Sequence, residues 1–185
     1  MVKRITIVDY GVGNLRSVAN AFAAVGAETQ VCGTAAEIAR AEALVLPGVG
    51  AFGEAMRRLH VRGLREALDE RALGAKVPVL GLCLGMQLFA TKSFEHGEHA
   101  GLGWIPGEVL PLERQHVGWN DVGAETFYFV HGFHFVPADP RHVVATADFD
   151  GPVTAIVQKD HIRGMQFHPE KSQRAGLALL KAFAC

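Results

Sequence analysis

The stretch Val77-Pro78-Val79-Leu80-Gly81-Leu82-Cys83-Leu84-Gly85-Met86-Gln87 decides the fold. Its first four residues form an apolar, β-branched run, the pattern of a strand covered on both faces. A helix is expected over 84–90. Between strand and helix, Gly81-Leu82-Cys83-Leu84-Gly85 is the cysteine form of the G-x-S-x-G elbow. That turn is tight, so small residues must stand two positions away from the nucleophile on each side. The sulfur is then lifted clear of the backbone at the end of a strand and the start of a helix, where the helix dipole favours a thiolate. The competing reading, a buried structural thiol, is preferred for Cys32 and Cys185, which lack such surroundings.

Working outward, the chain alternates strand and helix. Ile5-Thr6-Ile7-Val8 reads as a first strand. Asn14 caps a helix carrying Leu15, Val18, Ala19 and Phe22 at helical spacing, with Gly26 as its stop. Residues 29–32 form a second strand candidate. Thr34-Ala35-Ala36-Glu37 is a capping box opening a short helix. Residues 43–46 form a third strand, ended by Pro47-Gly48. A helical pattern covers 54–73, interrupted near Gly63, and leads back to the elbow. Residues 104–166 change character, with short β-like runs at 126–130, 143–146, 153–157 and 162–167. A helix over 173–184 closes the chain. The pattern predicts an α/β fold: an open, mostly parallel sheet with helices on both faces, plus an antiparallel β extension in the C-terminal half. One domain over 1–185 is expected, and at that length a core burying roughly 70% of the unfolded surface is available.

Bulk properties narrow the function. Apolar residues make up 49% and charged residues 20%, and 18 basic against 19 acidic residues leave a net charge of −1. No basic stripe points to nucleic acid. Met1-Val2-Lys3-Arg4 leads straight into a strand-like run, so no signal peptide is expected. The longest apolar stretch, 77–90, is too short to span a bilayer and contains Pro78, Gly81, Gly85 and Gln87. Three widely spaced cysteines make neither a disulfide framework nor a zinc site. A cytoplasmic chain without metal or cofactor is the resulting expectation.

A nucleophilic cysteine needs a proton partner. Of nine histidines, His168 in Gln166-Phe167-His168-Pro169-Glu170 follows a strand-like run and precedes the last helix. Loops at strand C-termini are where α/β folds hold functional groups. Pro169 keeps the step to Glu170 extended, so the carboxylate can turn to a ring nitrogen and orient the base. Spacing alone leaves a plain surface loop open as the alternative. The glycines of Gly11-Val12-Gly13-Asn14 lack the third glycine of a dinucleotide fingerprint, so no nucleotide cofactor is expected there.

The elbow together with His168-Pro169-Glu170 resembles the class I (triad) glutamine amidotransferases, a flavodoxin-like family. The segments 9–17, 46–53, 118–120, 128–131 and 166–172 resemble one branch more narrowly, the glutaminase subunits of imidazole glycerol phosphate synthase. The resemblance implies that Cys83 attacks the glutamine side-chain carbonyl, His168 moves the proton, and Glu170 orients His168. It implies an oxyanion hole from the amides of Val49, Gly50 and Leu84, where losing one donor typically costs roughly 2.7–4 kcal/mol of barrier. It gives L-glutamine binding to Gln87, Glu95, Gly132 and Phe133, with Glu95 facing the α-amino group. Asn14, Trp119, Tyr128 and Lys171 would face a (β/α)8-barrel cyclase in a heterodimer that channels ammonia into histidine biosynthesis. Gly132 and Phe133 depart from the family's small hydroxyl residue and tyrosine, which leaves a backbone contact to glutamine there; Gln115 replaces a usual proline, and 111–116 is short. Three rivals are a glutaminase serving pyridoxal phosphate synthesis, a flavodoxin-like thiol redox sensor, and a hydrolase of another amide or ester.

Overall fold

The computed structural model describes residues 4–185; Met1, Val2 and Lys3, where the signal-peptide reading begins, lie outside the described residues. Strands β1 (Ile5–Val8), β2 (Thr29–Cys32), β3 (Ala43–Gly48) and β4 (Val79–Cys83) alternate with helices α1 (Leu15–Ala24), α2 (Ala35–Ile38), α3 (Phe52–Val61) and α4 (Arg65–Asp69), the last continued by a π turn over Glu70–Gly74. Then come α5 (Leu84–Gln87), the short strands β5 (Lys92–Ser93) and β6 (His99–Ala100), and two long strands, β7 (Gly107–Val122) and β8 (Glu125–Pro137). The chain closes with β9 (Val143–Asp148), β10 (Pro152–Lys159), β11 (Ile162–Met165) and α6 (Gln173–Ala184).

The main sheet has seven strands in the order β2-β1-β3-β4-β11-β10-β9. Its first five strands run parallel, in the flavodoxin-like order with β11 in the fifth place. The β10 and β9 pairings are antiparallel, and they form the expected β extension. Side chains alternate across the sheet. Ile5, Ile7, Val45, Leu80 and Leu82 enter a core with Val18 and Phe22 of α1 and Leu180 of α6. Val8, Leu44, Leu46 and Val79 enter the opposite core with Ile38, Phe52, Leu59 and Leu68 of the other helices. This two-sided burial is why these strands read as continuous apolar runs. Among the described residues, no helix is long and apolar enough to cross a membrane.

Local signals act where they stand. Asn14 Oδ1 accepts from the Ser17 amide, and Gly26 leaves α1 at φ +80°. Both halves of the Thr34–Glu37 capping box form. Gly63, at φ +62°, breaks the 54–73 pattern. Five expectations need correction. Strand β3 runs through Pro47 and Gly48, which pair with Leu82 and Cys83; Pro47 fits because the pairing with β1 has ended at Val45, so no ladder N–H is lost there, and its carbonyl accepts from the Tyr10 hydroxyl at 2.5 Å. The fourth strand starts at Val79 rather than Val77, and β11 stops at Met165, short of Phe167. Helix α5 is a single turn followed by tight turns to Ala90, because that segment must double back toward β5. Cys185 is exposed beyond the last helix, whereas Cys32 is buried as expected.

The largest departure is the β7–β8 hairpin, which periodicity resolved only into short runs. It joins a second sheet of order β6-β5-β7-β8. Its base, with Val109 and Phe135, packs into one core, and its tip, with Val122, Phe127 and Phe129, packs into the other. A ribbon spanning two cores must cross the end of the main sheet. The register shift between Pro111 and His116 makes that crossing possible and spoils the alternation a long strand would show.

Gly85 sits so close to β3 that a Cβ there would strike the Leu46 carbonyl oxygen. Gly85→Ala is therefore expected to lower stability by about 2–3 kcal/mol, read as an earlier urea midpoint with an unchanged slope.

Candidate active site

The site forms where the C-terminal ends of β3, β4 and β11 meet the middle of β8. Cys83 ends β4 with φ 51° and ψ −110°, a conformation that favours glycine and holds about 1–3 kcal/mol of strain in any other residue. A Cβ at Gly81 would lie 2.6 Å from the Phe89 ring and 2.7 Å from the Gly85 backbone. The two elbow glycines are thus required by close approach on both sides of the turn. Since α5 is one turn long, the dipole expected to favour the thiolate is that of a single turn only.

Around the sulfur, the Gln166 amide Nε2 approaches Sγ at 3.7 Å, and the thiol points to the Val130 carbonyl at 3.9 Å. His168 is buried, and its Nδ1 donates to Glu170 Oε1 at 2.8 Å, with both side chains at most 4% exposed. Its position is set by backbone: the His168 N–H donates to the Tyr128 carbonyl at 2.9 Å. Ser172 Oγ donates to the His168 carbonyl at 2.6 Å and accepts from the Tyr128 N–H at 3.0 Å. Burial opposes charge on the His168 ring, but the nearby Cys83 sulfur and the hydrogen-bonded Glu170 carboxylate outweigh it and raise the pKa to about 9. Nε2 has no formed hydrogen bond, so Cys83 acts on the ring by proximity rather than through a closed N···S contact. Catalytic contacts of this kind are commonly loose before substrate binds.

Val49, Gly50, Cys83, Leu84, Gln87, Glu95, Gly132, Phe133 and His168 all line one cavity of about 260 Å³, with Val130, His131 and Lys171. That is near the lower end of ligand pockets, roughly 300–1,000 Å³, and suits an amino acid. A larger hollow of about 320 Å³ is lined by Arg4, Gln30, Cys32, Glu37, Arg40 and Glu42; it holds no histidine, and burial and the Glu37 charge push the Cys32 thiol up, away from the thiolate. Gly50, at φ +93°, lets the loop after β3 turn beside Leu84. Gln87 Nε2 donates to the Phe133 carbonyl at 2.8 Å and to Gln166 Oε1 at 3.0 Å. One oxygen of Glu95 accepts from the Phe52 N–H at 2.5 Å, which anchors the side chain at the pocket wall. Phe133 contributes backbone at this point, consistent with its lack of a hydroxyl.

Of the candidate interface residues, Trp119 is 51% exposed, so it is not core. It meets Tyr128 edge-on at 5.8 Å, and Lys171 Nζ lies 5.8 Å from the Tyr128 ring. Asn14 is exposed at the N-terminal cap of α1. Sequence reasoning gave no role to Gln166, Ser172 or the Val130 carbonyl. The first two stand within the segment that supplied His168, and adjacency to it was the available signal.

The class-I glutamine amidotransferase family profile matches residues 6–185, and the chain belongs to that family. Its relatives narrow the branch. It is 43% identical to "Imidazole glycerol phosphate synthase subunit HisH" of Zymomonas mobilis, covering 97% of this chain and 94% of that one. It is 44% identical to the subunit of the same name from Rhodopirellula baltica, covering 97% and 96%. Solved structures share the fold: a glutamine amidotransferase crystal structure superposes with TM-score 0.78 at 19% identity, covering 97% of this chain and 98% of that one. PurLQS from Thermotoga maritima superposes at 0.74 and 19%, covering 100% and 95%.

Because Cys83 and Glu170 raise the His168 pKa against burial, Cys83→Ala and Glu170→Gln should each lower it from about 9. Titration of the imidazole signals by NMR checks this. By the same sign, His168 stabilises the fold fully below its unfolded value near 6.5, a contribution lost as pH rises through about 9.

Proposed function

We propose that Cys83, His168 and Glu170 are the catalytic triad of this chain's glutaminase reaction. As a member of its family the chain is a glutamine-hydrolysing subunit of imidazole glycerol phosphate synthase, with a cyclase partner. The observation that carries the residue assignment is the meeting of an elbow cysteine and a buried, carboxylate-paired histidine on one amino-acid-sized cavity. Cys83 Sγ attacks the side-chain amide carbon of L-glutamine while His168 takes the thiol proton. The tetrahedral oxyanion is held by the Leu84 N–H and the amides of Val49 and Gly50. His168 returns its proton to the leaving nitrogen, ammonia departs, and a glutamyl thioester remains. Water, deprotonated by His168, then releases L-glutamate. Glu170 fixes the ring's tautomer and balances its charge. Gln87, Glu95 and the backbone of Gly132 and Phe133 bind the amino-acid end of the substrate.

The whole of residues 1–185 acts as one glutamine amidotransferase domain in the cytoplasm. Its partner is a (β/α)8-barrel cyclase forming a heterodimer through Asn14, Trp119, Tyr128 and Lys171. Support comes from an apolar strip on the hairpin, where Val117, Trp119 and Val130 are each at least 39% exposed. Val130 and Lys171 also line the cavity, so the strip is continuous with its mouth. Ammonia released to water would be protonated, so a mouth sealed by the partner that uses it keeps it nucleophilic.

Glutamate release, measured with and without the cyclase and its ligand, tests this reading. It should require the cyclase and fall by at least about 10³-fold in Cys83→Ala. Labelling of Cys83 by peroxide, indifferent to His168 and Glu170, would instead favour a thiol sensor. Trp119→Ala should weaken association with the cyclase by about tenfold, read by calorimetry.

A further inference from the structure

Behind the cavity, His116 and His131 form a buried hydrogen-bonded chain for which the reaction above has no use. His116 is sandwiched between Phe129, with centroids 4.4 Å apart, and Phe149, at 4.1 Å. Its Nδ1 is 3.1 Å from His131 Nε2, and its Nε2 is 3.1 Å from Asn120 Nδ2. His131 Nδ1 is 2.8 Å from the Phe133 carbonyl.

The proton positions follow from the two ends. Asn120 Oδ1 accepts from the Asp121 N–H, and its Nδ2 donates to the Asp148 carbonyl, so Nδ2 is the amino side. His116 Nε2 must therefore accept, which places its proton on Nδ1. At the other end a carbonyl can only accept, so His131 Nδ1 carries a proton and its Nε2 is bare. His116 Nδ1–H then donates to His131 Nε2, and both ends require the same assignment. Each ring holds one proton, and a further proton on either would break a bond in the chain. Burial pushes the same way and outweighs the Phe133 hydrogen bond, holding His131 down to about 4, while burial and then the Arg114 charge hold His116 below its ordinary value.

The Phe133 carbonyl, filled on one side by His131, is filled on the other by Gln87 Nε2. Gln87 Nε2 spends its second proton on Gln166 Oε1. A flipped Gln87 would set oxygen against two oxygens, so Oε1, which accepts from no donor among the described residues, remains available on a side chain that lines the cavity.

We propose that Asn120, His116 and His131 are positioning residues that, through the Phe133 carbonyl, hold the Gln87 amide with its oxygen toward a cationic substrate group. On the glutaminase reading above, on which this rests, that group is the α-ammonium of glutamine. The chain thereby sets specificity for an amino acid over an uncharged or anionic amide. Its outer end is Asn120, on the face of β7 opposite the exposed Val117 and Trp119 side chains.

The test uses the complex with the cyclase, comparing glutamine with glutaramic acid, which lacks the α-ammonium. His116→Phe keeps the aromatic stack but removes both hydrogen bonds. It should raise KM for glutamine about tenfold, leave kcat within about twofold, and erase most of the preference over glutaramic acid. His131→Phe should do the same, and His131→Asn, whose amide can still donate to the Phe133 carbonyl, should restore much of it. An unchanged KM and preference in folded His116→Phe, confirmed by a native melting curve, overturns the proposal while glutaminase activity stands. Equal losses on both substrates overturn it too, since they mark a structural defect only. Nitrogen-15 spectra finding a bare Nδ1 on either ring would also overturn it. A native complex that releases no glutamate sinks the glutaminase reading and this assignment together.

Discussion

Cys83 occupies a backbone conformation that a residue with a side chain holds only under constraint, and the constraint is the close approach of the elbow to β3. Gly85 lies against the Leu46 carbonyl, and Gly81 lies against Phe89 and the Gly85 backbone. Those contacts need β3 and β4 adjacent and parallel, with Gly48 paired to Cys83. Adjacent strands of this kind need helices on both faces to bury them. The strain at one residue is therefore carried by two cores rather than by the turn itself.

The same adjacency assembles the site. Parallel strands bring their C-terminal ends to one edge, so the loop after β3, the elbow after β4 and the His168 segment after β11 meet without any long-range design. The crossing hairpin then supplies the fourth wall. Because it runs from one core to the other, its central carbonyls, Val130 and Phe133, face the sulfur and Gln87. Ser172 ties His168 to the backbone of Tyr128, so the base is registered on the hairpin that also carries the exposed apolar strip. An event at that strip and the geometry of the base thus share one strand.

Electrostatics separates the histidines into two kinds. His168 has a buried carboxylate on one nitrogen and the thiol near the other, and it favours a proton. His116 and His131 satisfy each other and neutral amides, and they exclude one. The difference comes from partner type and not from burial, which is deep in both cases. A site that holds one cationic imidazole gains from neutral neighbours, since like charges in a low-dielectric pocket repel strongly.

The sequence by itself determined whatever depends on neighbours in the chain. Apolar runs, Asn14, the Thr34–Glu37 box and Gly26 set strand and helix limits because their physics is local. The elbow glycines and the short His168–Glu170 step are legible for the same reason, although spacing alone left a plain surface loop open for His168 and Glu170. The length of the hairpin could not, because its register shift breaks the alternation and each half is buried in a different core. Nor could the partners of Gln87, Gln166 and Ser172, or the His116–His131 chain, be read along the sequence. Those bonds join residues as much as 83 positions apart, and only the path of the folded backbone brings them within hydrogen-bond reach.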